Sequence, residues 1–242
     1  MSRFYNIYDD ADYAESYARL EWEGTYHLVR RDLPGILREH VTGRLALDFG
    51  CGTGRSTRLL RACGFKVVGV DIAPSMIERA QDLDHEGDYR LIEGGDLGQL
   101  PVRAFDLVLA AFPFDNTPMV DKPRILGALR DRLDVTGRLI NVVSSPEIYR
   151  NEWVSFSTRD FPENQHARDG DLVRIVTATF SHGRPCEDVL CTDQAYRRLY
   201  AQAGFEVIAD QRPLGRDEDG VRWVSETRLA PWVIWVLRTR SS

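Results

Sequence analysis

Hydrophobic and polar positions fall into two alternating patterns along most of this chain. Short, nearly continuous apolar runs occur at Leu45–Phe49, Lys66–Asp71, Tyr89–Glu93, Phe105–Phe112 and Gly137–Val143. Runs of that length, ended by glycine or acid, predict strands buried on both faces. Between them lie stretches that predict helices, Arg55–Cys63 after the first run and Asp121–Leu133 before the fifth. Strand and helix alternating from 44 to 144 predict a parallel sheet with helices on both faces, an α/β fold.

The flanks read differently. Residues 9–40 predict two amphipathic helices, one carrying Tyr13, Tyr17 and Leu20, the other Tyr26, Val29, Leu33 and Leu37. Pro34 is expected to kink or restart the second. Residues 145–191 break the alternation after Ser144-Ser145-Pro146. Leu172–Phe180 reads as a strand, Ser181–Pro185 as a turn and Val189–Cys191 as the return, together an inserted β-hairpin that could form a lid. Thr192 is placed to cap a helix that ends at Gly204. Phe205–Asp210 and Leu229–Leu237 predict a sixth and a seventh strand, with Pro231 marking an edge or bulge at the start of the last. The expectation is one domain over 1–242: a helical cap at 1–42, a ligand-binding core at 43–144, a lid at 145–191, and a closing helix and strands at 192–242.

Chemistry concentrates where the first strand ends, in Asp48-Phe49-Gly50-Cys51-Gly52-Thr53-Gly54. A strand, a glycine loop and a helix in succession make a nucleotide-binding turn. Dinucleotide loops follow G-x-G-x-x-G and seat a pyrophosphate on the helix N-terminus. Here the spacing is G-x-G-x-G, Arg55 stands where the third glycine would be, and Asp48 would repel a pyrophosphate. The acid suits a ligand with an ammonium group and no phosphate, such as S-adenosylmethionine. Asp71 ends the second strand, where it can accept both ribose hydroxyls. Asp96 after the third strand can accept the adenine amino group, and Leu97 offers its backbone N–H to the ring.

These residues resemble the class I S-adenosylmethionine-dependent methyltransferases of small-molecule type. Asp48–Gly54 is similar to that family's first motif, Asp71-Ile72-Ala73-Pro74-Ser75-Met76 to its second-strand acid motif, and Gly95-Asp96-Leu97 to its adenine motif. The resemblance covers 43–144 and extends more weakly to the C-terminus. It implies a Rossmann-like sheet of seven strands, mostly parallel with the last antiparallel. It also implies S-adenosyl-L-methionine as cofactor, S-adenosyl-L-homocysteine as product, and binding residues Asp48, Gly50, Cys51, Gly52, Thr53, Gly54, Asp71, Ile72, Met76, Asp96, Leu97, Ala111 and Phe112. Tyr17 would reach the methionine end.

Composition narrows the partners. The net charge is −6 over 242 residues with no basic block, against the basic stripe of a nucleic-acid surface. Cys51, Cys63, Cys186 and Cys191 form no C-x-x-C pair and no histidine cluster joins them, so no metal site is expected. The N-terminus lacks a signal peptide's apolar core and Leu229–Leu237 is too short to span a membrane. The expectation is a cytoplasmic protein, monomer or homodimer, acting on a small molecule without nucleic acid or membrane.

Substrate contacts are expected beyond the carboxyl ends of the strands. Phe114, Tyr149 and Trp153 are candidates for enclosing an acceptor, with Trp22 and Trp223 behind them. An O- or N-acceptor can require a base, and Asp115 is the first candidate ahead of His166 and His182. Glu147 and Glu152 could meet a cationic substrate. Each has a plainer reading: aromatic packing under loops, a turn carboxylate, solvated side chains. Two other functions compete. One is a protein of this fold that holds cofactor without turnover, the other a nucleotide-dependent oxidoreductase. The amino-methylating DNA enzymes carry Asn/Asp-Pro-Pro-aromatic after the fourth strand; Phe112-Pro113-Phe114-Asp115 does not match it.

Overall fold

A computed structural model describes residues 22–92, 96–101, 104–178 and 185–240. Ten strands and five α-helices occur among them: α1 His27–His40, β1 Leu45–Phe49, α2 Arg55–Ala62, β2 Lys66–Asp71, α3 Pro74–Leu83, β3 Asp88–Leu91, β4 Phe105–Ala111, α4 Lys122–Arg130, β5 Leu133–Ser144, β6 Phe156–Ser157, β7 Leu172–Thr177, β8 Pro185–Val189, α5 Asp193–Gln202, β9 Phe205–Gln211 and β10 Trp232–Thr239. Seven strands form one sheet in the order β3-β2-β1-β4-β5-β10-β9. The first five are parallel, and β10, the last strand, runs antiparallel to both neighbours. This is the Rossmann-like sheet that the sequence pattern predicts. The order turns back between β1 and β4, which opens a crevice at their carboxyl ends.

Alternation along the central strands makes two cores. Leu107 and Leu109 of β4 face α1 and α2 with Ile140, Val142, Ile234 and Val236. Val108 and Ala110 face α4 and α5 with Leu139, Val143, Val233 and Trp235. Period-two strands sandwiched between helices need apolar residues at every position, which is why these runs are continuous in the sequence.

Several boundaries differ from expectation. Helix α1 runs unbroken through Pro34, with Leu28, Val29, Leu33, Ile36 and Leu37 buried along one side. The apolar stripe outweighs the one backbone hydrogen bond that proline removes. Strand β5 starts at Leu133, four residues before Gly137. Pro231 marks neither an edge nor a bulge at the start of β10: the strand lies between β5 and β9, Pro231 precedes its first residue, and the register shift falls between Val236 and Leu237. The insertion is a three-stranded sheet, β6-β7-β8, not a bare hairpin. Its return strand is Pro185–Val189 rather than Val189–Cys191. The Thr192 cap is as expected, its hydroxyl accepting from Ala195 N–H at 3.3 Å, and Gly204 follows the helix at φ +83°. The first expected helix, Tyr17 with it, and most of the expected turn, His182 included, lie outside the described residues. Among the described residues no helix is long and apolar enough to cross a membrane.

Candidate active site

The glycine loop hangs from the neighbouring strand. Gly50 N–H and Cys51 N–H both donate to the Val70 carbonyl, at 2.9 and 3.0 Å, and Gly54 N–H donates to Cys51 O at 2.9 Å. Gly50, Gly52 and Gly54 have φ of 70°, 53° and 82°, values that residues with a Cβ rarely adopt. At two of them protein atoms also occupy the space a Cβ would need. A Cβ on Gly50 would stand 2.6 Å from Pro113 Cβ, and one on Gly54 2.4 Å from the Tyr89 hydroxyl. These two glycines answer to the loop's own packing before any ligand arrives.

Asp48 lies fully buried beneath this loop. Its Oδ2 accepts from the Ser56 and Thr57 hydroxyls at 2.7 and 2.6 Å. Both donors sit in the first turn of α2, which the loop delivers onto the acid. Its Oδ1 has no hydrogen-bond partner among the described residues. Burial pushes the carboxyl up to about 6, against the pull of the two hydroxyls. A buried acceptor without a partner beside a glycine loop suits an ammonium group; the residues present fit the amino-acid end of S-adenosylmethionine.

Asp71 ends β2 with one carboxylate oxygen on Gly52 N–H at 2.8 Å and the other on Ala73 N–H at 2.9 Å. Burial raises its pKa. A carboxylate has about four acceptor sites, so both oxygens can still take a ribose hydroxyl. Asp71 thus ties the loop down as well as facing the site. Beside it Ile72 is 44% exposed. Met76 is buried at the start of α3. Asp96 is exposed, with its carboxylate on Gly98 N–H at 2.7 Å, and Leu97 is buried.

Gly50, Cys51, Gly52, Thr53, Ser56 and Ala111 line a cleft with Trp22 and Arg55. The Arg55 guanidinium lies 4.5 Å from the Trp22 ring and 4.6 Å from the Tyr26 ring. Arg55 therefore forms part of the wall at the place where a dinucleotide loop keeps a glycine. Phe112 follows Ala111 with φ 73°, alone among the described non-glycine residues in the left-handed region. Its ring is fixed by Trp232 at 4.8 Å and Tyr26 at 5.5 Å. Such a backbone state costs on the order of 1–3 kcal/mol and persists where packing imposes it.

The expected substrate residues are not brought to this cleft. Phe114 is fully buried in the core on the α4 and α5 side. Trp153 donates its indole N–H to Ile148 O at 2.9 Å inside the insertion, and Tyr149 donates its hydroxyl to Asp188 at 3.0 Å. Asp115 is buried too, its carboxylate accepting from Ser144 N–H at 3.0 Å and from Ser144 Oγ at 2.7 Å. A base must reach its proton, and this carboxylate is committed elsewhere. His166 is exposed; Glu147 and Glu152 bond Asn151 and Thr158 within the insertion. Trp223 covers Gly215 and donates to Arg216 O at 3.1 Å. Sequence reasoning missed the pairing of Ser56 and Thr57 with Asp48. The signal was two hydroxyls in the first turn after the loop. No group of three His, Cys, Asp or Glu able to hold a metal occurs among the described residues.

The family model of the methyltransferase domain matches residues 46–137. An uncharacterized protein of Haemophilus influenzae is 30% identical over 152 residues, 58% of each chain. A carboxy-S-adenosyl-L-methionine synthase of Chromohalobacter salexigens is 26% identical over 204 residues, 75% of this chain and 73% of that one. The CcbJ methyltransferase of Streptomyces caelestis has the same fold, with a TM-score of 0.62 at 16% identity over 91% of this chain and all of that one. Shorter matches carry names with quite different acceptors. An aklanonic acid methyltransferase of Streptomyces covers 43% of this chain, and an 18S rRNA (guanine-N(7))-methyltransferase of Mus musculus covers 22%. Residues 46–137 match a methyltransferase domain, the glycine loop and the strand-end acids lie at the carboxyl ends of β1 and β2 within it, and the chain has the fold of S-adenosylmethionine-dependent methyltransferases.

Proposed function

We propose that this enzyme methylates an oxygen or nitrogen atom of a small-molecule acceptor. The observation that carries the reading is the make-up of the cleft: a glycine loop walled by Trp22 and Arg55, beside a buried carboxylate with one unpartnered oxygen. The net charge of −6 also disfavours long contact with a phosphate backbone. The aklanonic acid methyltransferase supports the reading by its name; the 18S rRNA enzyme supports a nucleic-acid acceptor, over a shorter stretch.

Within this reading each residue has a task. When bound, the cofactor supplies a methyl group on a sulfonium, a leaving group already activated. Asp48 holds the ammonium end through its open oxygen. Gly50, Cys51, Gly52, Thr53 and Gly54 form the floor, and Ala111 and Phe112 the turn beside it. Asp71 takes the ribose hydroxyls, Ile72 and Leu97 flank the base, Asp96 accepts from its amino group, and Met76 backs the pocket. Trp22 and Tyr26 hold Arg55 against the cleft and keep water out, which matters because water competes as nucleophile. Alignment is the main contribution the chain makes to such a displacement. A cytoplasmic protein, monomeric or homodimeric and free of nucleic acid and membrane, fits this role.

Calorimetry with S-adenosylmethionine, S-adenosylhomocysteine and NAD, wild type beside Asp71→Ala, tests the cofactor half. Micromolar binding of the two sulfur ligands alone is expected, weakened at least about tenfold in the variant by loss of charged hydrogen bonds. Transfer of labelled methyl to mixed metabolites, to RNA and to acyl carrier protein tests the acceptor. Label appearing only in RNA or protein overturns the small-molecule reading, and tight cofactor binding with no transfer to any of them makes the chain a binding protein.

A further inference from the structure

The loop after β4, the start of α4, the end of β5 and strand β8 meet in a cluster of ionisable groups that the cofactor cleft does not use. Lys122, the first residue of α4, is fully buried. Its ammonium donates to the Phe114 carbonyl and lies 5.6 Å from the centre of the Tyr196 ring. It makes no direct ion pair among the described residues. Asp115 is held by Ser144, and Asp188, half-buried on β8, by the Tyr149 hydroxyl. Tyr200 also faces the cluster and stays neutral because burial raises it; Cys191 and Tyr196 face it as well. Burial raises both, with Cys191 pushed up to about 12, and raises Tyr149 likewise, so all three stay neutral near pH 7.

Charge counting then fixes the proton content. Two carboxylates and one ammonium, all ionised, sum to −1. Burying an uncompensated charge costs several kcal/mol, so the closed cluster keeps one further proton and is neutral. It then holds two protons over three sites, whichever sites carry them. Burial with Asp188 nearby pushes Asp115 up to about 7, and burial pushes Asp188 up to about 6, while burial lowers Lys122.

The same groups join the insertion to the core. Asp188 and Tyr149 belong to the insertion, Asp115, Lys122 and Ser144 to the core, and Val189 N–H donates to Asp115 O at 2.7 Å beside them. We propose that this cluster is a proton-dependent latch, holding the insertion sheet against the core while it keeps two protons and releasing it when one is lost. Released into water, the three groups keep only the lysine proton, so opening gives up one proton. The opening constant should rise about tenfold per pH unit above the ordinary carboxylate range and level off above about pH 7. Phe156 of β6 packs on Tyr26 at 5.4 Å and on Trp232 at 5.7 Å, so release uncovers the wall beside the cofactor cleft.

Hydrogen exchange of the full chain, corrected for intrinsic rates, tests the latch between about pH 5 and 8. Protection of a peptide containing Val189 is compared with one from β4. In wild type the ratio should fall about tenfold per pH unit up to pH 6.5 and flatten above 7. Asp188→Asn leaves a neutral Asp115–Lys122 pair with no extra proton, and its profile should be flat. Lys122→Met forces both acids to be protonated when closed, so opening gives up two protons and the slope should steepen towards a hundredfold per unit. A packing role alone changes the level of protection and not its slope. A flat wild-type profile, or one slope shared by all three proteins, overturns the proposal. Loss of protection in β4 marks unfolding of a variant. The slope is then read on Asp115→Asn, where a flat profile is expected and the wild-type slope overturns the proposal.

Discussion

Replacing Asp48 with Asn should move stability and cofactor affinity in opposite directions. The carboxyl is fully buried and raised from 3.8 to about 6 by burial. A group raised in the folded state contributes stability below its unfolded pKa and loses it as pH rises through the folded value. By pH 8 that loss is complete, and two pKa units amount to about 3 kcal/mol. Asn removes the charge, and its amide oxygen in the place of Oδ2 still accepts from both the Ser56 and Thr57 hydroxyls, as a neutral and weaker acceptor. Allowing about 1 kcal/mol for the weaker bonds leaves about 2 kcal/mol in favour of the variant. For a chain of this length the ligand-free protein should melt about 4–8 °C higher at pH 8, with the gain fading towards pH 4. The amide N–H₂ takes the place of the open Oδ1, so the cofactor's ammonium meets a donor. Losing a charged hydrogen bond of about 1.5–3 kcal/mol weakens binding about 10- to 150-fold. Scanning calorimetry and titration of S-adenosylmethionine at pH 8 read both numbers. A dissociation constant within threefold of wild type, or a lower melting temperature, would refute the assignment of Asp48 as the buried partner of the ammonium.

Two further substitutions probe the frame around the site. Gly54→Ala puts a Cβ 2.4 Å from the Tyr89 hydroxyl at φ +82°; it should lower stability by about 2–4 kcal/mol, and adding Tyr89→Ala should recover only part of that in denaturant titration, because the backbone strain remains. Glu226→Gln should cost about 2–4 kcal/mol. Its two oxygens accept from Thr25 Oγ1, Val154 N–H, Val224 N–H and Ser225 N–H, and an amide nitrogen would oppose two of these donors; an unchanged melting temperature would show that the carboxylate is dispensable.

The sheet was legible because its central strands are buried on both faces, which writes continuous apolar runs. Legibility failed where burial is one-sided or the element is short. Strand β5 opens with Leu133, Asp134 and Val135, the last 74% exposed, so only its buried half stood out. Strand β6 has two residues, too few for any period. The cofactor acids were found because loop, strand end and helix are adjacent in sequence. Asp115 was misread as a base because its partner Ser144 lies 29 residues away. Tyr149 and Trp153 show that an aromatic residue in a connection does not announce whether it faces a ligand or a core. That depends on partners such as Asp188 and Ile148 O, which composition does not reveal.

The convergence on Glu226 has a consequence for the order of assembly during synthesis. Thr25 meets Ser155 across 130 residues, Glu226 across 201 and Trp232 across 207. Bringing such distant segments together is entropically unfavourable until both are present. On the ribosome, β1 to β4 can pair as soon as they emerge. Trp22 and Tyr26 obtain their final support only after the last strand is released. A nascent chain stalled before residue 226 would thus have the floor of the cofactor cleft without its wall, and the capacity to retain cofactor should appear as one of the last events of its folding.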